Sequence, residues 1–212
     1  MRTKDGVSGM HFFQRDIVLE NHIVKLVPFH GKYKEGLRKI IFDKEITKFT
    51  EDHILDDYAL EHYIARTLAD QVEKISYPFI VIDKATGEVA GSTRYGNLAF
   101  FSKRLEIGWT WYGAPYRGTD INKAAKFELL KFAFEVMGFH RVQFSVDVEN
   151  IRSQRAVLKL GAKQEGVFRN NYLNARGESR DDVYYSIIHT EWPELKRTIF
   201  REFAELPAVS SH

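Results

Sequence analysis

The sequence predicts a single-domain α/β fold built on a mixed β-sheet flanked by helices. Three observations carry that prediction. Segments of alternating polarity recur along the chain, residues 104–112 and 141–148 foremost. A strongly amphipathic helix lies between those two segments, and such a strand–helix–strand unit sets its strands parallel or splayed. Elsewhere short turns join strand-like runs as hairpins, which are antiparallel. Both kinds of pairing in one chain of 212 residues make a mixed sheet in one domain.

Each element follows from local pattern. Residues 17–19 and 23–27 are short apolar runs around Glu20-Asn21-His22 and read as a hairpin or a bent strand. Over 31–42, Tyr33, Leu37, Ile40 and Ile41 recur at helical spacing, and 44–49 adds a short helical turn. Over 55–75, Leu60, Ile64, Leu68 and Val72 recur every four residues. Asp56, Asp57 and Glu61 stand near that start, where acidic groups complement the helix dipole. Residues 77–83 and 88–100 are strand-like, joined by Lys84-Ala85-Thr86-Gly87. In 104–112, Leu105, Ile107, Trp109 and Trp111 share one face, and Glu106, Gly108, Thr110 and Tyr112 the other. A helix of about five turns follows residues 113–118. Its apolar face is Ile121, Ala125, Leu129, Phe132 and Val136, and Gly138 closes it. Val142, Phe144, Val146 and Val148 point inward from the next strand. A short helix runs from Asn150 to Leu160-Gly161. Residues 162–173 and 182–190 form a last long hairpin, and 192–205 a closing helix with Pro193 in its first turn. Residues 1–15 read as a leader, with Met10 an alternative start, residues 16–206 as the domain and 207–212 as a tail.

Composition narrows the function. At 44% hydrophobic and 28% charged the chain is globular, not disordered. The absence of cysteine rules out disulfides, thiolate zinc sites, a Cys nucleophile and iron–sulfur clusters. Lys+Arg 31 against Asp+Glu 29 leaves +2, which argues against an RNA-associated or nucleic-acid-wrapping protein. No apolar stretch approaches ~18 residues, so no membrane partner is expected. No secretory signal is present either, which makes a cytoplasmic location the expectation. His53, His62 and His189 have no spacing that suggests a metal or a triad, and no metal is expected.

Two helix starts carry the candidate chemistry. The first is Pro115-Tyr116-Arg117-Gly118-Thr119-Asp120-Ile121-Asn122-Lys123, between an alternating strand and the strong helix. A glycine there lets backbone approach a ligand, and the free N–H groups of a first helical turn suit a phosphate. Arg117, Lys123 and Lys126 add charge. The competing reading is a plain turn with solvated bases. The second is Val148-Glu149-Asn150-Ile151-Arg152-Ser153, where Asn150 is either an N-cap or a ligand contact.

Together these motifs resemble the GNAT N-acetyltransferases. Tyr116 to Asn122 is similar to their acyl-CoA pyrophosphate loop, with Asp120 where the family usually has Gly. Residues 148–161, with Asn150, Arg152, Ser153, Ala156 and the closing Leu160-Gly161-Ala162, resemble their second cofactor segment. Leu105-Glu106-Ile107-Gly108-Trp109 resembles the Glu-Ile-Gly strand of the RimJ/RimL-type branch, which acetylates ribosomal-protein N-termini. Gly177, Asp182-Val183-Tyr184-Tyr185-Ser186 and Glu191-Trp192-Pro193 recur there too.

The resemblance implies a sheet splayed between the strands ending near Trp111 and Val148, with acetyl-CoA as cosubstrate in the opening. Backbone groups of Trp109, Thr110 and Trp111 would pair with the pantetheine arm. N–H groups over 118–123 (Gly118, Thr119, Ile121, Asn122 and Lys123), flanked by Arg117, would hold the pyrophosphate. Asn150 and Ser153 would face the pantetheine amide and the thioester. A base or a water chain must leave the amine neutral to attack the thioester; Glu106 is the candidate base, and the competing reading is an ordinary exposed strand residue. Ser153 is the hydroxyl placed to assist the leaving thiolate, where many members use a tyrosine. The acceptor is an amine-bearing partner, a protein N-terminus or a small molecule. Its cleft would form between 44–63 and 169–182, where Glu45, Glu51, Asp52, Asp56 and Asp57 either attract a cation or serve the helix dipole. A homodimer is compatible with this reading. The alternative is a non-catalytic acyl-CoA-binding module on the same fold.

Overall fold

A computed structural model describes residues 9–50 and 53–204. One eight-stranded mixed sheet runs through it in the order β1-β2-β3-β4-β5-β6-β8-β7. The strands are β1 (Leu19–Glu20), β2 (Val24–Pro28), β3 (Tyr77–Asp83), β4 (Val89–Ala99), β5 (Arg104–Tyr112), β6 (Arg141–Asp147), β7 (Lys163–Leu173) and β8 (Ser179–Ile188). The helices are α1 (Gly9–Phe12), α2 (Lys34–Ile41), α3 (Lys44–Thr47), α4 (Asp57–Val72), α5 (Ile121–Lys131), α6 (Ile151–Lys159), α7 (Trp192–Arg197) and α8 (Arg201–Ala204). Neighbouring strands pair antiparallel except β5 and β6, the parallel pair that flanks α5 in sequence. The mixed sheet is therefore as expected.

Each face of the sheet has its own core. One packs Val24, Leu26, Tyr77, Phe79, Leu105, Ile107 and Phe144 against α5 and α8. The other packs Ile80, Val89 and Trp111 under α2 and α4. Phe127 of α5 is stacked or tilted against Trp192, Phe200 and Phe203, with centroids 5.4 to 5.9 Å away. That cluster ties down a C-terminal region expected as one helix and found as two short ones, α7 and α8.

Three local expectations need correction. In α4 the buried residues are Leu60, Tyr63, Ile64 and Thr67, while Val72 is 81% exposed. The apolar stripe turns toward Tyr63 because that ring lies edge-on to Phe29 and Trp111. The helix after Gly118 is buried nearly all round, from Ile121 through Leu130, and its last turn widens into a π-helix over Phe132–Val136. That extra width carries Val136 outward, 52% exposed, and keeps Phe134 in the core. The inner end of the segment read as a leader is packed onto the domain. Phe12 is fully buried against Tyr77 and Tyr95, and Tyr77 Oη donates to the Arg15 carbonyl at 2.7 Å.

Candidate active site

β5 and β6 are joined only through Arg104↔Arg141, Leu105↔Val142 and Glu106↔Gln143. Past Glu106 the strands part, and the β6-side edge of β5 is open. Just there β5 carries a bulge, since Arg94 faces Gly108 but Ser92 faces Trp111. The bulge breaks the expected alternation. Leu105, Ile107 and Tyr112 join the core under α5, whereas Trp111 joins the opposite one. Trp109 sits at φ 49°, a conformation that strains a bulky residue by roughly 1–3 kcal/mol. Packing holds it there. A Cβ added at Gly96 would come within 2.3 Å of the Trp109 ring, so the indole packs directly against that glycine. The Arg94 guanidinium, bonded to Asp70 and Thr67, sits 5.6 Å from the indole centroid. Trp111 donates its indole N–H to Tyr63 Oη at 3.1 Å.

Glu106 stands at the last rung before the parting and is buried, 5% exposed. Its Oε2 accepts from Asn97 Nδ2 and Gln143 Nε2, both at 2.9 Å. Burial raises its carboxyl above the ordinary value, and the two amides pull it partway back. Oε1 has no protein partner among the described residues. It faces Gly108, where an added Cβ would approach to 3.2 Å. A buried carboxylate with one oxygen anchored and one open can accept a proton.

The loop before α5 divides into anchored and open groups. Gly118 has φ 76° with nothing within 4 Å of a built Cβ. Thr119 Oγ1 donates to the Tyr116 carbonyl at 2.7 Å and sits 3.4 Å from the Ile121 N–H. Asp120 is exposed and makes no side-chain cap. The N–H groups of Gly118, Thr119, Asp120, Asn122 and Lys123 have no acceptor among the described residues. Ile121 is buried, 5% exposed, and anchors the helix start. The basic side chains are arranged otherwise than expected. Arg117 donates to the Tyr112 carbonyl at 2.9 Å and to Asp43 Oδ2 at 2.6 Å, so its guanidinium clamps the end of β5 to α3. Lys123 pairs with Glu202 of α8. Lys126 points into the core beside Thr110 and Thr93, away from the loop.

At the second helix start Asn150 is an N-cap, its Oδ1 accepting the Ser153 N–H at 3.1 Å. Its Nδ2 and the Ser153 hydroxyl have no protein partner among the described residues. Both helix starts flank Asp43, which caps α3. The Glu45 N–H, then Arg117 and, more distantly, Arg152 hold its carboxyl below the ordinary range.

Of the acidic groups expected at the acceptor cleft, Glu51 and Asp52 lie outside the described residues. Asp56 caps α4, and Asp57 forms a two-pronged pair with Arg38. The two walls do meet, since Ala175 N–H in the β7–β8 turn donates to the Thr50 carbonyl at 3.2 Å. Sequence reasoning missed Asn97 and Gln143. It also missed the network in which Tyr172 and Arg180 bind Asp147 at the end of β6, at 2.7 and 2.9 Å. No local spacing signals such partners. Among the described residues no group of three or more His, Asp or Glu is placed to hold a metal, and no helix is long and apolar enough to cross a membrane.

The sheet parts between β5 and β6, as the resemblance implied, and beside the parting stand a buried carboxylate and two polar helix starts. The family model of the GNAT acetyltransferase domain matches residues 24–163. A solved candidate acetyltransferase from T. thermophilus is 33% identical, with TM-score 0.80 over 87% of this chain and 96% of that one. The uncharacterized N-acetyltransferase YnaD of Bacillus subtilis (strain 168) is 25% identical over 166 residues, 77% of this chain and 92% of that protein. YdaF of the same organism, named a candidate ribosomal N-acetyltransferase, is 32% identical over 106 residues, 50% of this chain and 57% of its own length. The fold is shared with Mycobacterium smegmatis RimJ, solved in complex with CoA-disulfide, at TM-score 0.74 and 22% identity over 91% of this chain and 98% of that one. The chain belongs to the GNAT acetyltransferase family, and it is an enzyme of acetyl transfer.

Proposed function

We propose that the enzyme is an acetyl-CoA-dependent N-acetyltransferase acting in the cytoplasm on a primary amine, a protein N-terminus or a small molecule. The observation that carries this reading is the parting of β5 from β6 directly after buried Glu106. The open edge over Trp109–Trp111 suits the amides of a pantetheine arm, and the free N–H groups from Gly118 to Lys123 suit a pyrophosphate. Acetyl-CoA supplies an activated thioester there. The neutral amine attacks the thioester carbonyl, its nitrogen gains the carbon, and the carbon–sulfur bond breaks. Glu106 Oε1 takes the amine proton directly or through water, favoured by its raised proton affinity. Ser153 hydroxyl donates to the sulfur as its charge develops, and Asn150 Nδ2 holds the arm. The name of YdaF, a candidate ribosomal N-acetyltransferase, makes a ribosomal-protein amine the first class to examine.

The test is transfer of labelled acetyl from acetyl-CoA to a panel of ribosomal-protein N-terminal peptides, polyamines and aminoglycosides. Label on at least one primary amine is the expected result. Tight acetyl-CoA binding with no transfer to any amine would leave a non-catalytic acyl-CoA-binding module instead.

A further inference from the structure

Lys126 of α5 is 5% exposed. Its Nζ donates to Thr110 Oγ1 at 2.7 Å and lies 3.4 Å from Thr93 Oγ1. It also lies 6.0 Å from the Phe144 ring centroid. The two threonine hydroxyls bond each other at 2.7 Å. Thr93 belongs to β4, Thr110 to β5 and Phe144 to β6, so the amine bridges the strands at their parting. No carboxylate pairs with it among the described residues. Glu128, the nearest acid along α5, takes a hydrogen bond from Asn21 instead. Tyr112, on the same strand face as Thr110, is a phenol pushed up by burial and neutral through the physiological range. Burial alone brings the Lys126 ammonium down to about 7.

A buried ammonium without a counter-charge destabilises a fold, and a methionine would fill the same space without that penalty. Such a charge, kept beside a strained bulge, points to use at the bulge. We propose that Lys126 is a positioning residue for the transfer step, holding through Thr110 a positive charge beneath the seam where the thiolate of coenzyme A develops. This rests on the reading that acetyl-CoA lies along Trp109–Trp111. The thioester is neutral and the departing sulfur is anionic, so the charge favours the transition state over bound substrate. The protonated form of Lys126 is the acting one, and it gives up no proton in the step. The sulfur takes the electron pair of the broken bond, and the amine proton leaves by Glu106 or water.

The experiment titrates the thiol of bound coenzyme A by thiolate ultraviolet absorbance, in wild type, Lys126→Met and Thr110→Val. In wild type the bound thiol ionises more readily than free coenzyme A, by about tenfold in acid dissociation constant. In Lys126→Met that shift is lost, and in Thr110→Val it shrinks. In turnover, Lys126→Met lowers kcat by about tenfold or more with the acetyl-CoA KM within about twofold. A wild-type bound thiol that titrates like the free one overturns the proposal, even should Lys126→Met not fold. So does an equal shift in wild type and Lys126→Met. A lysine-dependent shift without acetyl transfer to any amine keeps the Lys126 assignment and fails the catalytic reading. Absence of coenzyme A binding fails both.

Discussion

Glu106 was nameable from the sequence as a carboxylate on an alternating strand, but its environment was not. Its two amide partners stand 9 and 37 residues away, on β4 and β6, and no local pattern links them. Packing on both faces of the sheet buries a residue that alternation alone would leave exposed. The raised carboxyl has a direct kinetic consequence. A base works when deprotonated, so turnover should climb with pH through a value above the ordinary carboxylate range. Glu106→Gln keeps the size and should reduce kcat by about 10²-fold or more, with acetyl-CoA affinity nearly unchanged. Steady-state kinetics across pH, with calorimetry for the cofactor, check this; an unchanged rate and profile would make Glu106 a structural residue. Asn150 and Ser153 are distinguished by the cap. Asn150→Ala removes the acceptor for Ser153 N–H and should cost about 1 kcal/mol of stability. It should also weaken coenzyme A binding through loss of Nδ2. Ser153→Ala leaves the cap in place and should slow turnover at unchanged melting temperature. Equal kinetics in both variants and wild type would leave this helix start as a cap alone.

Elements were legible where period and punctuation agreed. The β3–β4 hairpin turned at Lys84-Ala85-Thr86-Gly87 because Asp83 and Thr86 side chains and Gly87 at φ 73° make that turn locally. Strand β5 was placed correctly, yet its bulge was not foreseen. A bulge answers to the partner strand, and the Trp109 ring needs Gly96 thirteen positions earlier on β4. The loop before α5 shows the same limit. Its glycine and free N–H groups are local properties and were readable, while the destinations of Arg117, Lys123 and Lys126 depend on α3, α8 and the sheet. Two substitutions separate these roles. Gly118→Glu keeps the fold, since a side chain there enters open space, but places a carboxylate and a strained φ at the loop. It should abolish coenzyme A binding by calorimetry, and unchanged affinity would move the pyrophosphate elsewhere. Arg117→Ala breaks the link from Tyr112 and Asp43, whose ion pair is less than a third exposed. It should cost about 1–2 kcal/mol in denaturant unfolding. Its effect on cofactor affinity should be small, because the guanidinium already has two protein partners.

At the scale of the molecule, the sheet is two antiparallel blocks joined by one short parallel contact. Strands β1 to β5 form the first, and β6, β8 and β7 the second. Three residue pairs join them, whereas β6 and β8 pair from Arg141↔Ile188 to Asp147↔Asp182. Continuity across the seam therefore rests on α5, whose Phe127, Leu129 and Leu130 pack in a core shared by both blocks. The Lys126–Thr110 bond lies at the same place. Backbone groups on the open edge of β5 have no partner strand past Glu106 and should open with little free energy. A ligand that adds its amides to that edge would close them and stabilise the native state by mass action. Hydrogen exchange followed by mass spectrometry should then show a polarised pattern. Amides of β5 beyond Glu106 that face β6 exchange fast without ligand, together with the N–H groups of residues 118–123. Saturating coenzyme A slows both sets, while amides paired between β3 and β4 stay slow throughout. Uniform protection would mean only global stabilisation. Protection of the loop without the β5 edge would seat the pyrophosphate but keep the pantetheine arm out of the seam. Protection of both sets together is the result expected if one extended ligand runs from the start of α5 into the opening between the blocks.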